Sequence, residues 1–416
     1  MDFNEVRPGY LKSSEKTIKI HISELKIGMY VSKLDRPWLE TPFLMQGFMI
    51  ESLDDIDAVA EYAQHVWIDA VGEEWVAPEE RAAVKGQAKK VSYINKIDAK
   101  AEHAAAMDTY REARRLTRSL LDDLRLGGVI NSEQAKSTVK ECVHSILRNS
   151  DALIWMSKIR TQDEYTAEHC LNVCILAIAF GRHLGMSEGD LERLGLCGLL
   201  HDVGKMRVQP EVLHKPASLT EKEFNMMKAH TVHGRNLLMS SPGIPNSTID
   251  VAYSHHERID GTGYPRGLSS SGISEFAKII AIVDAYDAMT ADRCYSPSIP
   301  STEALKIIFK DRGTHFDDRL GLEFIKSVGL YPPGTLVELV NGLIAIVFET
   351  NSKYRHLPKV IAVKKQDAKL EKNVLVDLSG VERGSLDKSF LIKRALNDGS
   401  FGVYIKDYRE QGLALG

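Results

Sequence analysis

The chain has 416 residues, with 53 Lys+Arg against 57 Asp+Glu for a formal net charge of −4, and it is 44% apolar and 26% charged. That balance excludes disorder as the main state, and at roughly 150 residues per domain it predicts two or three domains. A mildly acidic total gives no electrostatic reason to expect a DNA or RNA duplex or an anionic membrane surface as partner.

The N-terminal stretch MDFNEVRPGYLKSSEK is polar and lacks the apolar core of a signal peptide. No run reaches the 18 or so apolar residues that a membrane span needs; the best, Leu171 to Phe180, is interrupted by Asn172. The five cysteines form no CxxC pair. Reduced thiols in the cytoplasm, without membrane insertion, are the expectation.

Residues 1–75 read as a small α+β module: Ile18, Ile20 and Ile22 alternate with polar residues, strand-like pieces surround Met29 to Leu34 and His65 to Ile68, and SLDDIDAVAEYA between them has helical spacing. Residues 76–130, rich in Ala, Glu, Lys and Arg, predict a long exposed helix, a linker that could join two copies in a homodimer. Gly127-Gly128 ends it. Residues 131–330 predict an all-α domain. Ser132, Ser187 and Thr220 stand at helix starts, the last two with an acid three positions on, and Gly185, Gly204 and Gly313 stand where helices would end. Residues 331–416 predict a β-rich appendage, opened by TLVELV and LIAIVF on either side of Asn341-Gly342, a hairpin signal. The fold class is mainly α.

Histidine is unevenly spread, with eight of the 14 lying between His169 and His256. In chain order that segment and its flank offer His169, His201-Asp202, His230, His255-His256 and Asp284. A lone histidine is more often packing or surface than ligand. Adjacent His-Asp and His-His pairs beside the apolar stretches GLCGLL and IDVAYS differ, because such groups are costly to bury unless a cation compensates them. The mixture suits borderline first-row metals rather than calcium or a thiolate-bound zinc. Two octahedral ions have about twelve positions; seven ligands with one bridging carboxylate fill about eight, leaving room for water and substrate. His183, His214, His233 and the cysteines get no ligand role, and Asp287, three positions after Asp284, is expected to hydrogen-bond to a ligand.

His201-Asp202-Val203-Gly204-Lys205 followed by HHERIDGTGYP from His255 to Pro265 resembles the paired signature of the HD-GYP family, a subgroup of the HD phosphohydrolases. The match spans about Ser132 to Val328 and continues in TQDEYTAEHC and VDAYDAMTADR. The N-terminal module is similar to a small domain of unknown function found ahead of such domains. The resemblance implies a metal-dependent phosphodiesterase that opens cyclic dinucleotides, above all cyclic di-GMP, to linear pGpG and onward to GMP, or 3′3′-cyclic GMP-AMP by the same chemistry. It implies two divalent transition-metal ions, iron or manganese before nickel or zinc. His169, His201, Asp202 and Asp284 would hold one, and Asp202 would bridge to a second held by His230, His255 and His256. Lys205 and Arg293 would meet phosphate, and Gly263, Tyr264 and Pro265 would form the loop that faces substrate or a protein partner. Two departures stand out. A carboxylate associated with a third metal is replaced by Tyr165, with Glu164 one position off, and a second basic phosphate contact is replaced by Ser296. The rival of another class is a catalytically silent nucleotide receptor that signals through the GYP loop.

Overall fold

The computed structural model describes residues 17–27, 29–36, 41, 48–50, 53–69, 90–157, 165–213, 215–291, 298–351, 353–365 and 368–410. The chain divides into two compact units, residues 1–89 and 90–416.

The first unit is a four-stranded antiparallel sheet with one helix. Strands β1 (Thr17–His21), β2 (Tyr30–Leu34), β3 (Phe48–Met49) and β4 (His65–Asp69) are arranged β1-β4-β2-β3, and α1 (Leu53–Ala60) precedes β4. The side-chain period of two brings Ile20 and Val31 onto the face that also carries Val66 and Ile68. These pack with Leu34, Ile50 and Val59 into one small core.

The second unit is helical for most of its length. It comprises α2 (Ala99–Arg125), α3 (Ser132–Arg148), α4 (Ser150–Ser157), α5 (Tyr165–His183), α6 (Glu188–Leu200), α7 (Pro210–Leu213), α8 (Glu221–Lys228), α9 (His230–Met239), α10 (Asn246–Ser254), α11 (Glu275–Thr290), α12 (Ser301–Lys310) and α13 (Asp318–Val328). A five-stranded antiparallel sheet follows, built from β5 (Leu336–Leu339), β6 (Leu343–Glu349), β7 (Lys359–Lys365), β8 (Ala368–Asp377) and β9 (Ile392–Leu396) in the order β8-β7-β6-β5-β9, and α14 (Ile405–Glu410) closes it. Asn341-Gly342 joins β5 to β6, with Gly342 at φ +80°, a left-handed conformation that glycine adopts without steric cost.

Three expectations change. Helix α2 is not an exposed linker: Ala106, Tyr110, Ala113, Thr117, Leu120 and Leu124 form a stripe at helical spacing that is buried within the second unit. Its alanines let α3, α4 and α5 approach closely, so the stripe that sequence alone assigns to a linker or dimer contact is used inside the bundle. The tail sheet shares that core, since Phe348 packs on Trp155 of α4 (ring centroids 5.8 Å) and Thr350 donates twice to the buried Asp151 carboxylate (2.7 Å each). At the start of α3 the cap is Asn131, whose side chain accepts the Gln134 N–H at 3.1 Å; Ser132 is already helical. Ser187 and Thr220 cap α6 and α8 as read, the latter with a full capping box. Among the described residues no helix is long and apolar enough to cross a membrane.

Candidate metal centre

Three helix ends, two helix interiors and one 3-10 turn converge on one point. His169 lies one turn into α5 and Asp284 within α11; His201 follows the last residue of α6, His230 opens α9, and His255-His256 follow α10. Asp202 begins the tight 3-10 turn Val203–Arg207. Helix packing is what assembles them. Gly198 lets α6 lie against α5, because a Cβ there would meet the Cys174 backbone at 2.8 Å. Gly204, expected to end a helix, serves a different purpose: a Cβ there would lie 1.9 Å from the His230 carbonyl oxygen and 2.4 Å from the Gly234 nitrogen. Only glycine lets the turn after Asp202 meet the start of α9.

Asp202 is central and buried, and its two oxygens face different partners. Oδ2 lies 3.3 Å from His201 Nε2 and 3.6 Å from His169 Nε2, and it pairs with the Lys205 ammonium. Oδ1 lies 3.3 Å from His230 Nε2 and 3.7 Å from His255 Nε2. Asp284 Oδ1 completes the first side, 3.1 Å from His169 Nε2 and 3.9 Å from His201 Nε2. On the second side His230 and His255 bring their Nε2 atoms to 3.3 Å, and His256 lies alongside with ring centroids 4.1 Å from His255 and 5.0 Å from His230.

Most of these imidazoles are held by the other nitrogen. Nδ1 contacts the Gly198 carbonyl in His201 (2.8 Å), the Met227 carbonyl in His230 (2.7 Å) and the Val251 carbonyl in His255 (3.1 Å). In His169 it contacts the Asp287 carboxylate at 2.7 Å. A carbonyl can only accept, so in His201, His230 and His255 Nδ1 carries the proton and Nε2 turns a lone pair inward. Electrostatics agrees. Burial pushes the His230 pKa down to about 3, and burial followed by the neighbouring imidazoles pushes His256 well below its ordinary value, so both are neutral at neutral pH, the form that can hold a metal. Burial works against ionisation of Asp202 and Asp284; Lys205 and His201 for the former, and His169 for the latter, more than offset it and hold both carboxyls well below the usual range.

The fit to metal rests on atoms left over. His201 Nε2 and Asp202 Oδ1 are fully buried and have no hydrogen-bond partner, a cost of about 1–3 kcal/mol for such a group unless something else satisfies it. Three groups of side chains bring ligand atoms within 4.8 Å of one another: Asp202 with His230, His255 and His256; His169 with His201 and Asp202; and His201 with His255 and Asp284. All seven expected ligands are included, whereas among the described residues His183 and His233 join no such group. His183 instead pairs with Glu323 at 2.9 Å.

The GYP loop lies beside the second side. The buried Glu257 carboxylate accepts the Arg266 N–H (2.7 Å) and the Leu268 N–H (2.9 Å), tying both ends of the loop together, a role sequence reading had not given it. Gly263 is required by close approach, since a Cβ would sit 2.3 Å from the Arg258 nitrogen. Tyr264, joined to Pro265 by a cis peptide bond, stacks on His256 (centroids 4.8 Å, planes 27° apart). A second unread pair backs the first side: Glu168, next to His169 and buried, accepts from Arg114 of α2 at 2.8 Å. Glu164, the Tyr165 side chain, Arg293 and Ser296 lie outside the described residues, as does His214.

Comparison with known proteins agrees with this geometry. Residues 144–320 match the HD domain family, and residues 17–135 match a domain of unknown function (DUF3391), a span that runs through α2. The chain is 36% identical over 351 residues to a cyclic di-GMP phosphodiesterase of Pseudomonas aeruginosa, covering 82% of this chain and 84% of that protein. It is 34% identical over 175 residues to the 3′3′-cGAMP-specific phosphodiesterase 3 of Vibrio cholerae, covering 42% of this chain and 38% of that protein. A cyclic di-GMP phosphodiesterase of Thermotoga maritima is 36% identical over 166 residues, covering 40% and 45% respectively. With the HD pair, the GYP block and the converging ligands in place, the chain belongs to the HD-GYP family of cyclic dinucleotide phosphodiesterases, metal-dependent enzymes of the HD phosphohydrolase superfamily.

Proposed function

We propose that this chain hydrolyses cyclic di-GMP to linear pGpG at a pair of divalent ions, iron or manganese in preference to nickel or zinc. The observation that carries the reading is the Asp202 carboxylate, whose two oxygens face two separate ligand sets beside the complete HHERIDGTGYP loop. One ion would be held by His169, His201, Asp202 and Asp284, the other by Asp202, His230, His255 and His256. Such ions, when bound, acidify water and offset charge on a phosphodiester. The protein's part is to keep the seven ligand side chains neutral or anionic as required, to exclude water from the buried side, and to hold Lys205 at the carboxylate edge, where its ammonium can meet a phosphate oxygen. Arg293 would be the second phosphate contact, and Gly263, Tyr264 and Pro265 the loop that bounds the substrate.

The relative matching most of the chain supports cyclic di-GMP over 3′3′-cyclic GMP-AMP. Among the described residues, the four cysteines Cys142, Cys170, Cys174 and Cys197 are buried free thiols, which supports a reducing compartment such as the cytoplasm. The test is hydrolysis of both nucleotides by protein loaded with manganese or iron(II), with products separated and metal counted, beside His201→Ala and Asp202→Ala. We expect pGpG as first product, about two ions per chain, and loss of turnover in both variants. Turnover that survives both substitutions would sink the metal reading. A fully loaded protein without turnover favours the nucleotide receptor acting through the GYP loop, and three ions per chain would overturn the binuclear count.

A further inference from the structure

The open side of the centre is marked by the ligands that keep some exposure. His169, His201, His230 and His255 are buried, while His256 and Asp284 are partly exposed, as are Lys205 and Tyr264 beside them. Substrate therefore arrives across these four residues. From His256 a run of rings leads outward: Tyr264 stacks on His256, and Phe224 of α8 meets Tyr264 edge to face with centroids 6.4 Å apart. Phe224 is 44% exposed. Lys228, four residues on and hence on the same face of α8, places its ammonium 4.6 Å from the Phe224 ring centre and 5.5 Å from that of Tyr264. Among the described residues it makes no ion pair with a carboxylate.

Core packing does not explain this arrangement, because no residue of α8 is buried. The helix is nonetheless pinned, by the Thr220–Glu223 capping box and by Lys215 donating to both Glu223 oxygens (2.8 and 2.6 Å). A fixed, exposed aromatic ring beside an ammonium without a carboxylate, at the edge of a phosphodiesterase centre, has the chemistry of a nucleobase platform.

We infer that Phe224 and Lys228 form the subsite for one guanine of the cyclic dinucleotide, with the ring stacking the base and Lys228 donating to guanine O6 and N7. The inference rests on the substrate reading above. Stacking accepts any base, so Phe224 sets affinity. An ammonium can only donate, so it matches the two acceptors on the guanine edge and opposes the N6 amino group of adenine; Lys228 sets base choice. The ammonium lies over the Phe224 ring; a base that stacks on that face displaces it on its flexible stem to the base edge, where those acceptors lie.

The test uses the metal-loaded full chain as wild type, Phe224→Leu, Lys228→Met and Lys228→Arg. KM and kcat are measured for cyclic di-GMP and cyclic di-AMP, and Kd for GMP and AMP by calorimetry. Phe224→Leu should raise KM for both dinucleotides and weaken both mononucleotides, roughly tenfold. Lys228→Met should weaken the guanine ligands roughly tenfold and the adenine ligands much less, more in KM than in kcat. Lys228→Arg should keep the guanine preference, since guanidinium also donates to O6 and N7. If wild type turns over cyclic di-GMP but Lys228→Met keeps full guanine preference in both KM and Kd, the subsite is wrong and the function stands. If wild type turns over neither dinucleotide, the function reading fails, and the GMP and AMP affinities still decide the subsite.

Discussion

The two sides of Asp202 are built from unlike materials. On the Oδ2 side are His169, His201 and Asp284 together with the Lys205 ammonium, and His169 is backed by the Asp287 carboxylate. On the Oδ1 side are imidazoles alone, oriented by backbone carbonyls or, in His256, by the Tyr264 ring. The first side carries anionic charge and a carboxylate-backed histidine; the second depends on imidazoles at helix ends and on the close contact at Gly204. Charge strengthens attraction for a cation, so the first side should bind metal more tightly and the second should be the one lost when helices shift.

Asp202→Ala tests that contrast hardest, because it removes the carboxylate whose two oxygens face the two sides. Metal content should fall for both ions and kcat by about 10³-fold or more, since a metal pair contributes several kcal/mol to the transition state; metal analysis showing one ion retained at full occupancy would contradict a shared carboxylate. Gly204→Ala should act on one side only. The added methyl must displace the His230 carbonyl or the Gly234 backbone, at about 1–3 kcal/mol or more of overpacking, so Tm drops and metal falls towards one ion per chain. An unchanged Tm with two ions bound would refute that close approach. Asp287→Asn keeps a hydrogen-bond acceptor for His169 but removes the charge behind it. Competition with a chelator should show metal affinity lowered about 10- to 100-fold on the first side, with the second unaffected.

Protons probe the same asymmetry in the metal-free protein. His230 is lowered to about 3, His315 and His356 to about 4, in each case by burial first, and His256 is lowered likewise. Below pH about 6.5 these groups take up protons in the unfolded chain and not in the folded one, so Tm should fall as pH drops from about 6.5 to 4. The lowered carboxyls of Asp202 and Asp284 extend the loss below pH about 4. His169 opposes the trend: burial works against its protonation, but its bonds to Asp284 and Asp287 raise its pKa overall, so its contribution is lost as pH rises. A thermal-melt series that is flat between pH 6.5 and 4 would show that these imidazoles are not buried neutral. The smallest effect belongs to His183→Ala. Its partly exposed pair with Glu323 should contribute no more than about 1 kcal/mol, with metal content unchanged; any loss of metal would place His183 in the centre after all.

Much of the site was legible because its residue types are costly to place otherwise. His201-Asp202 and His255-His256 beside apolar stretches already called for a cation, and the spacing from Asp284 to Asp287 already suggested a hydrogen-bonding partner. Gly204 was misread because the atom it must accommodate, the His230 carbonyl, is 26 residues away in sequence. Glu257 was passed over as part of a motif, although its buried carboxylate closes the loop through two backbone N–H groups. Helix α2 misled by composition: Ala, Arg and Glu read as exposed, but small residues at helical spacing are also what closely packed helices use.

The sequence by itself determined the family and which imidazoles and carboxylates are candidate metal ligands, because charge and imidazole chemistry are local properties that spacing along the chain reveals. Only the tertiary structure decided that the two Asp202 oxygens face different imidazoles, that Nε2 of His201, His230 and His255 points inward, and that Phe224 and Lys228 stand beside Tyr264. Those facts depend on contacts between segments far apart in the chain, where backbone approach and the direction of a lone pair are set by packing rather than by residue type.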